Sequence, residues 1–288
     1  MKPFAAATFF IAASTLVLAQ GQPSRLYVFA VDSSGAPVGD LTAPDLEVRE
    51  NGSVVQLLSL RRGTDPIRLV IINNVGDTTE IDAVKRGLKE MIAAVPASTE
   101  VALATATGGY SSQLAPTPDR QRQLSAIAAL REGGGELAHA LMESDTKLFR
   151  GQPARWPIYV IVTDDFGENT SAVKQIEFDA FSDRLAHSAT VHAVLSKQGT
   201  NSQTGKIIDA LARHLTDNTG GLYQEVSSGR GLADAIAGVG TRIAIDAQRM
   251  SDGYELSYEG SASGSDRDLQ VGISRQGVAL HLSFKRVP

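Results

Sequence analysis

The chain has 288 residues, of which 42% are hydrophobic and 20% are charged, and this is the composition of an ordinary globular protein with enough apolar material for a core. Its formal net charge of -5 is modest and its basic residues are scattered, which argues against a surface for nucleic acid. The sequence contains no cysteine, which excludes disulfide bonds, thiolate metal ligands and cysteine nucleophiles.

Residues 1–19 have the composition of a secretory signal peptide. Lys2 is the basic residue of this segment, and nearly every residue from Phe4 to Leu18 is apolar or small. The apolar run is shorter than the ~20 residues that a membrane-spanning helix needs, so we expect cleavage after Ala19, with an uncleaved anchor as the alternative. The mature protein is then expected to be soluble and exported, either periplasmic or secreted, with no membrane attachment.

The next part of the sequence predicts short β-strands. Apolar and polar side chains alternate over residues 25–32, and several of them are aromatic or β-branched, which is typical of a strand. Two further alternating runs, 46–50 and 54–60, flank Asn51-Gly52, the strongest short-range signal for a β-hairpin. Between the first two strands, residues 40–45 are expected to form a turn in which one helical turn would fit.

From Pro66 the pattern changes to strands that alternate with helices, which indicates a parallel sheet. Residues 67–72 form a continuous apolar run, as expected for a strand buried on both faces. The later strands are predicted at 100–106, 156–163, 189–195 and 222–226. The helices are predicted at 80–95, 116–130, 136–149, 180–186, 206–216 and 232–250.

The pattern returns to short alternating strands at the end of the chain, at 254–258, 269–273 and 278–284. The predicted fold class is therefore α/β, with a doubly wound, mostly parallel sheet and a small all-β sandwich built from both ends of the chain. The predicted units are a signal peptide at 1–19, a β segment at 24–62, an α/β domain at 66–250, and a β segment at 251–288 that packs with the first one.

The strand at 67–72 leads into a loop of two asparagines, a valine, a glycine and an aspartate at 73–77. In an open α/β sheet, ligands bind at the carboxyl ends of the central strands. This loop is therefore the first place at which to look for a functional site.

Several segments, in the same order, resemble the bacterial secreted proteins related to the von Willebrand factor A domain, of the acidobacterial type. The family's leading β segment reads roughly "V.D..G.PV..LT..DFEV.E.G", and its later motifs include Asp-x-Ser-Gly-Ser, Gly-Gly-Thr, Thr-Asp-Gly and "LA..TGG". The matching stretches are "VDSSGAPVGDLTAPDLEVRENGSVVQLLSL" at 31–60, "NNVGD" at 73–77, "GGGELAHAL" at 133–141, "VIVTDDFGEN" at 161–169, "IIDALARHLTDNTGGLY" at 207–223 and "YELSY" at 254–258. The resemblance covers nearly the whole mature chain and implies a Rossmann-like A-domain fold.

The parent domain holds a divalent cation in a metal-ion-dependent adhesion site, and this sequence departs from its motif. The family's first Asp falls on Asn73, its two Ser on Val75 and Asp77, and its Thr on Gly135, while the Asp of the fourth strand is kept as Asp164. Mg²⁺ demands a nearly complete octahedron of oxygen ligands, and two of these positions offer no side-chain oxygen. We therefore expect a degenerate site and no cofactor.

Two interpretations of the same residues remain open. A weak Mg²⁺ site could use Asn73, Asp77 and Asp164 as its metal ligands. Alternatively, Asn73 and Asp77 could serve as turn and helix N-cap residues, and Asp164 with Asp165 could cap the exit of a strand.

Other motifs are weaker. The stretch "GTNSQTGK" at 199–206 has five residues between its glycines and Ile207 where a phosphate-binding loop has Ser or Thr. The histidines include no pair with helical metal-ligand spacing, and there is no Gly-x-Ser-x-Gly elbow. A carboxylate pair for glycoside cleavage would have to come from Glu47, Glu50, Asp164, Asp165 and Glu168, and nothing in the sequence brings two of them to one cleft.

The sequence thus favours an exported, non-enzymatic interaction module that binds an unknown protein or cell-surface ligand through the loops at the carboxyl ends of the strands, as the resemblance implies. The first alternative is a cation-dependent adhesion receptor that uses the altered residues. The second is a hydrolase without a recognisable motif. The oligomeric state remains open.

Overall fold

The computed structural model describes residues 24–63, 66–152, 155–165, 173–186, 189–197, 203–227, 229–260 and 269–282, and the predicted signal peptide lies outside them. The strands are β1 (Ser24–Asp32), β2 (Leu46–Glu50), β3 (Ser53–Val55), β4 (Leu57–Arg62), β5 (Ile67–Asn74), β6 (Glu100–Thr105), β7 (Ser111–Thr117), β8 (Trp156–Asp164), β9 (Thr190–Ser196), β10 (Tyr223–Val226), β11 (Tyr254–Tyr258), β12 (Leu269–Ile273) and β13 (Val278–Leu282). The helices are α1 (Ile81–Ala94), α2 (Arg120–Ala129), α3 (Leu137–Leu148), α4 (Gln175–Leu185), α5 (Gln203–Thr219) and α6 (Gly229–Asp252).

Six of the described strands form a central sheet in the order β10-β9-β8-β5-β6-β7. Neighbouring strands run parallel, except that β7 is antiparallel to β6. After β5, the strands β6 and β7 are added on one side of β5. The later strands β8, β9 and β10 are added on its other side. The order of the strands therefore reverses between β5 and β8, and in doubly wound folds this position is where ligands bind.

Helices cover both faces of the central sheet, as the apolar run of β5 predicts. Leu69 and Ile71 belong to a core with α1, α2 and α6, whereas Val70 and Ile72 belong to a core with α3, α4 and α5. Because successive side chains of a strand point to opposite faces, a strand between two helical layers has a nearly continuous apolar run. All eight residues of β5 are buried.

The sequence prediction was wrong for residues 111–120. A helix was expected to start at Pro116, but residues 111–117 form the strand β7 and the helix begins at Arg120, after the N-cap Asp119. Proline is tolerated in a strand at the margin of a sheet, where its missing N–H is not needed for pairing. In β7, Leu114 and Thr117 are the buried residues, so its apolar pattern is too sparse to signal a strand.

Strands from both ends of the chain form two small antiparallel sheets, and the predicted fold class is confirmed. One sheet has the order β13-β1-β11-β4 and the other the order β12-β2-β3, as far as the chain is described. The predicted strand at 54–60 is in fact interrupted at Gln56, so that β3 and β4 belong to different sheets. The predicted hairpin is confirmed, and Asn51 and Gly52 have positive φ angles of 51° and 77°.

The two small sheets enclose a core of their own, to which β1, β2 and β11 contribute Leu26, Val48 and Leu256. Tyr27, on the opposite face of β1, instead packs edge-on against Trp156 of the central sheet, with ring centroids 4.4 Å apart. The sandwich therefore rests on the α/β part through this aromatic contact. The exact domain boundaries remain a prediction.

Candidate functional site

The candidate site lies at the carboxyl edge of the central sheet, which we define as the edge where β5, β6, β8 and β9 end. Asn73 at the end of β5 is fully buried. Its amide Nδ2 donates to the backbone oxygen of Arg131 at 3.0 Å, and its Oδ1 accepts from the N–H of Val75 at 3.4 Å. A carboxylate at this position could not donate to the Arg131 carbonyl, so the amide gives this side chain a role that the family's Asp cannot fill.

Asn74, which the sequence analysis did not select, connects three segments. Its Oδ1 accepts from the N–H of Gly135 at 3.0 Å, and its Nδ2 donates to the hydroxyl of Thr163 at 3.0 Å. That hydroxyl donates in turn to the backbone oxygen of Asp164 at 3.1 Å. The chain of hydrogen bonds holds the loop before α3 and the ends of β5 and β8 together.

Asp164 at the end of β8 points at the loop after β5. One oxygen of its carboxylate accepts from the backbone N–H of Gly76 at 2.6 Å and from that of Asp77 at 2.9 Å. The side chain is fully buried, and hydrogen bonds from N–H groups stabilise a buried carboxylate in its charged form. The structure thus brings together two of the predicted site residues, Asp77 and Asp164, through the backbone of the first and the side chain of the second.

The side chain of Asp77 turns away from this contact. Its Oδ1 accepts from the N–H and the hydroxyl of Thr79, both at 2.8 Å, which is the pattern of a local turn. Helix α1 begins at Ile81, and its N-cap residue is Glu80. The expectation of a turn is therefore met at Asp77, whereas the expectation that Asp77 is the helix N-cap was wrong.

Glu80 is a second residue that the sequence analysis missed. It is 5% exposed, and its Oε1 accepts from the hydroxyl of Ser196 at the end of β9, at 2.7 Å. Its Oε2 has no hydrogen-bond partner among the described residues. Glu80 thereby connects the start of α1 to a strand two positions away from β5 in the sheet.

Glycines let the loops at this edge approach each other without intervening side chains. A Cβ on Gly133 would lie 2.3 Å from the backbone oxygen of Asn73, and a Cβ on Gly134 would lie 3.1 Å from the Cα of Gly76. A Cβ on Gly135 would lie 2.7 Å from the backbone oxygen of Ala106. The N–H of Gly133 also donates to the backbone oxygen of Val75 at 2.8 Å, so the two loops are joined by backbone contacts.

Two of the positions that align with the family's metal ligands offer no side-chain oxygen. Val75 is fully buried in the apolar core, and Gly135 has no side chain. Within the described ranges, no three acidic or histidine side chains are placed so that they could hold a metal ion.

The carboxylates that the sequence offered for glycoside cleavage lie in different parts of the molecule. Glu47 and Glu50 belong to β2 of the sandwich, and Asp164 and Asp165 lie at the carboxyl edge. Glu168 is outside the described residues, as are residues 199–202, the first half of the loop at 199–206 that resembles a phosphate-binding motif.

Comparison with solved structures shows that this chain has a von Willebrand factor A-like α/β fold. The structure of a von Willebrand factor type A protein from Catenulispora acidiphila aligns with 79% of this chain and 51% of its own, with a TM-score of 0.50 and 15% identity. The conserved hypothetical protein BatB from Bacteroides thetaiotaomicron covers 62% of this chain and 99% of its own, with a TM-score of 0.45 and 15% identity. The SpRpn10 VWA domain covers 60% and 94%, with a TM-score of 0.45 and 11% identity.

At such identities the similarity shows the fold, and the A-like fold predicted from the sequence motifs is confirmed. This chain spans about half the length of the Catenulispora structure, at 51%. No family model matches the sequence, and no curated protein matches it. The acidobacterial type and the degenerate metal site remain predictions. In the described part of the chain, no helix is long and apolar enough to cross a membrane.

Proposed function

We propose that this protein is an exported, non-enzymatic interaction module that binds a protein or cell-surface ligand at the carboxyl edge of its sheet without a divalent cation. Its A-like fold supports a role in protein interaction. The sequence motifs that resemble secreted bacterial A-domain proteins, including those of the acidobacterial type, support export.

The contact between Asp164 and the loop backbone is the observation that carries the metal-independent part of the proposal. The charge of a buried carboxylate must be compensated, either by a cation or by hydrogen-bond donors. Here the N–H groups of Gly76 and Asp77 supply two donors to one carboxylate oxygen. The carboxylate is therefore stabilised by the protein itself.

The donor chemistry of the surrounding residues does not fit Mg²⁺. Octahedral coordination needs oxygen ligands at most positions, and neither Val75 nor Gly135 can provide one from a side chain. The amide of Asn73 is engaged with the Arg131 carbonyl. A cation would have to displace these hydrogen bonds before it could bind.

The absence of an assembled catalytic group in the sequence motifs motivates the non-enzymatic part of the proposal. Its test is turnover of ester, peptide, glycoside and phosphate substrates by the purified mature protein. Hydrolysis that is lost in an Asp164→Asn variant would show instead that the carboxyl edge is an active site.

The interaction itself can be tested by site-specific photo-cross-linking in native envelope and culture fractions. A photoreactive residue replaces Thr107, which is exposed just after β6 at the carboxyl edge, and a control replaces Thr146, which is exposed in the last turn of α3. We expect one partner to be cross-linked from position 107 and not from 146. The cross-linked partner, purified, should bind the mature protein equally well with and without chelator.

Two results would contradict the proposal. Loss of binding in chelator would identify a cation-dependent receptor, in which Asn73, Asp77 and Asp164 are the first residues to substitute. Cross-linking from Thr146 alone would place the interface at the opposite edge of the sheet. Export has its own test, since N-terminal sequencing of the exported protein should start at Gln20, and a protein that retains Met1 would refute cleavage.

A further inference from the structure

A groove lies beside the candidate site, between the first turns of α1 and the end of α2. Its α1 side is formed by Thr78, Ile81, Asp82 and Lys85, and its other side by residues 128–132. Its volume of about 380 Å³ falls within the range of ligand sites in proteins. The groove is thus large enough to receive a side chain and part of the backbone of a bound segment.

The floor of the groove contains apolar side chains. Ile81 and Leu130 are buried beneath it, and Ala128 and Ala129 line it as small, exposed side chains. Alanines leave room for a guest side chain, and a guest that covers them removes apolar surface from water. This floor suits an aliphatic side chain.

The rim of the groove carries two charges of each sign. Asp82 and Glu132 are acidic, and Lys85 and Arg131 are basic. None of the four side chains forms an ion pair or a side-chain hydrogen bond within the described ranges, although they line the same groove. Some other charges on the described surface are paired, as Lys197 is with Asp209 and Glu225. The charges of the groove are therefore available to a partner.

The amide of Asn73 helps to shape this groove. Asn73 donates to the backbone oxygen of Arg131 and so fixes the segment that forms one wall. The N–H of Leu130 donates to the oxygen of Ile127, which holds the floor at the end of α2. An aspartate at position 73 could not make the first of these bonds.

We propose that this groove binds an extended peptide segment of a protein partner, with an aliphatic side chain on the floor and one acidic and one basic residue at the rim. Equal numbers of positive and negative groups favour a guest of mixed charge and disfavour nucleic acid or an anionic membrane, which would require an excess of basic residues. This inference rests on the proposed interaction function, because it names the part of the carboxyl edge that recognises the partner.

The test is selection of a random linear peptide library on the full mature protein, followed by affinity measurements with the selected peptides. Ala128→Trp fills the groove from an exposed position of α2, and Gln121→Trp is the matched control at an exposed position of the same helix outside the groove. We expect selected peptides to contain an aliphatic residue between opposite charges. Ala128→Trp should weaken their binding on the order of tenfold or more, and Gln121→Trp should leave it unchanged.

Charge reversal provides a second measurement that does not depend on packing. Lys85→Glu together with Arg131→Glu should weaken the selected peptides, and replacing the acidic residue of the peptide by lysine should restore part of the lost affinity. Failure to enrich peptides, equal binding to the Ala128→Trp protein, or no rescue by the reversed peptide would each overturn the proposal.

Sedimentation of the wild-type and Ala128→Trp proteins tests a different occupant. A dimer that becomes monomeric in the variant would show that a second copy of the chain fills the groove, and this also overturns the peptide proposal. Cross-linking of a partner from Thr107, a position outside the groove, would still stand in any of these cases. The experiments therefore distinguish an error in the peptide-binding proposal from an error in the proposed function.

Discussion

The two edges of the central sheet compensate the charge of an acidic side chain in different ways. At the carboxyl edge, the carboxylate of Asp164 accepts from the backbone N–H groups of Gly76 and Asp77. At the opposite edge, where β5, β6 and β8 begin, the carboxylate of Glu100 accepts from Arg68 at 2.7 and 2.9 Å and from Arg155 at 3.1 Å. We call this second edge the amino edge.

The ion pairs of the amino edge are made by long side chains that are themselves held in place. The guanidinium of Arg68 also donates to the backbone oxygen of Leu148 and lies 5.6 Å from the ring centre of Phe149. Burial alone would raise the pKa of Glu100, but the hydrogen bonds from Arg155 and Arg68 outweigh it and hold that pKa below its ordinary value.

The difference shows which edge depends on the identity of its side chains. Compensation by the side chain of an arginine is lost when that arginine is replaced. A carboxylate compensated by backbone N–H groups depends on the shape of the loop, whose own side chains can change. This explains how the sequence of the loop at 73–77 can differ from the motif of the A domains that it resembles while the A-like fold is kept.

The largest effect is expected at the amino edge. Arg68→Met should lower the free energy of unfolding by about 3–5 kcal/mol, because it leaves a partly buried carboxylate and the Leu148 carbonyl without their main donor. Denaturant unfolding measures this loss. The control is Arg155→Met, whose side chain is more exposed, at 24% against 9%, and which should lose about 1 kcal/mol or less. Equal losses would mean that Glu100 does not depend on Arg68 in particular.

At the carboxyl edge, Asp164→Ala should lower the free energy of unfolding by about 2–4 kcal/mol, because the N–H groups of Gly76 and Asp77 lose their acceptor. Asp164→Asn keeps an amide oxygen as acceptor and removes only the charge, so its loss should be less than half as large. If the asparagine variant is as unstable as the alanine variant, the negative charge itself is needed, and compensation by the backbone is not the right account.

The glycine contacts give a third comparison, between two attempts to restore the family's metal motif. One variant carries Asn73→Asp, Val75→Ser and Asp77→Ser, and the other adds Gly135→Thr. The added Cβ would lie 2.7 Å from the backbone oxygen of Ala106, so the second variant should be less stable than the first by about 1–3 kcal/mol without metal. Thermal unfolding in chelator measures the difference, and equal midpoints would show that the loop can move aside.

Between the two edges, β9 holds a titratable group in the core. His192 is 1% exposed, and its Nδ1 accepts from the N–H of Leu222 at 3.0 Å. Burial, with a smaller contribution from Arg242, lowers its pKa from 6.5 to about 3. The unfolded chain therefore takes up the proton first as the pH falls, and stability is lost from pH 6.5 downwards towards the folded-state pKa.

By pH 5.5 this histidine should have cost roughly 1.4 kcal/mol of stability relative to neutral pH. His192→Gln, whose amide oxygen can still accept from the Leu222 N–H, should flatten the pH dependence of the unfolding free energy between pH 7.5 and 5.5 by about this amount. His214→Gln, at an exposed position of α5, is the control and should leave the slope as it is. An unchanged slope in His192→Gln would show that His192 takes up its proton in the folded protein at the same pH as in the unfolded chain.

The sequence predicted the α/β layers well because the apolar pattern of each element is local. The run at 67–72 and the helical stripe that follows it carry their own signal of burial on one or two faces. The strand β7 was not predicted because many of its residues are polar or partly exposed. Its alternation of buried and exposed residues is therefore weak.

The site was only partly predictable, since its contacts join distant positions. Asp164 lies 88 residues from Gly76 in the sequence, and Asn74 lies 61 residues from Gly135. The side chain of Asn73 could be a hydrogen-bond donor to a carbonyl or a metal ligand that has lost its charge. Nothing in the local sequence pattern distinguishes these two roles. The two consecutive buried asparagines at a strand end were the one signal that could have drawn attention to Asn74.

The smallest effect is expected from metal ions on the natural protein. Val75 and Gly135 offer no side-chain oxygen, and the carboxylate of Asp164 is already occupied by two backbone N–H groups. A cation would have to break these bonds to reach an incomplete set of ligands, so its affinity should be weak. Ions that bind the folded state stabilise it only when their concentration reaches the dissociation constant, so about 1–5 mM Mg²⁺ or Mn²⁺ should shift the thermal midpoint by no more than about 1 °C. A gain of several degrees, reversed by chelator and lost in Asp164→Asn, would show that Asn73, Asp77 and Asp164 form a working metal site and that the two edges do not differ as described.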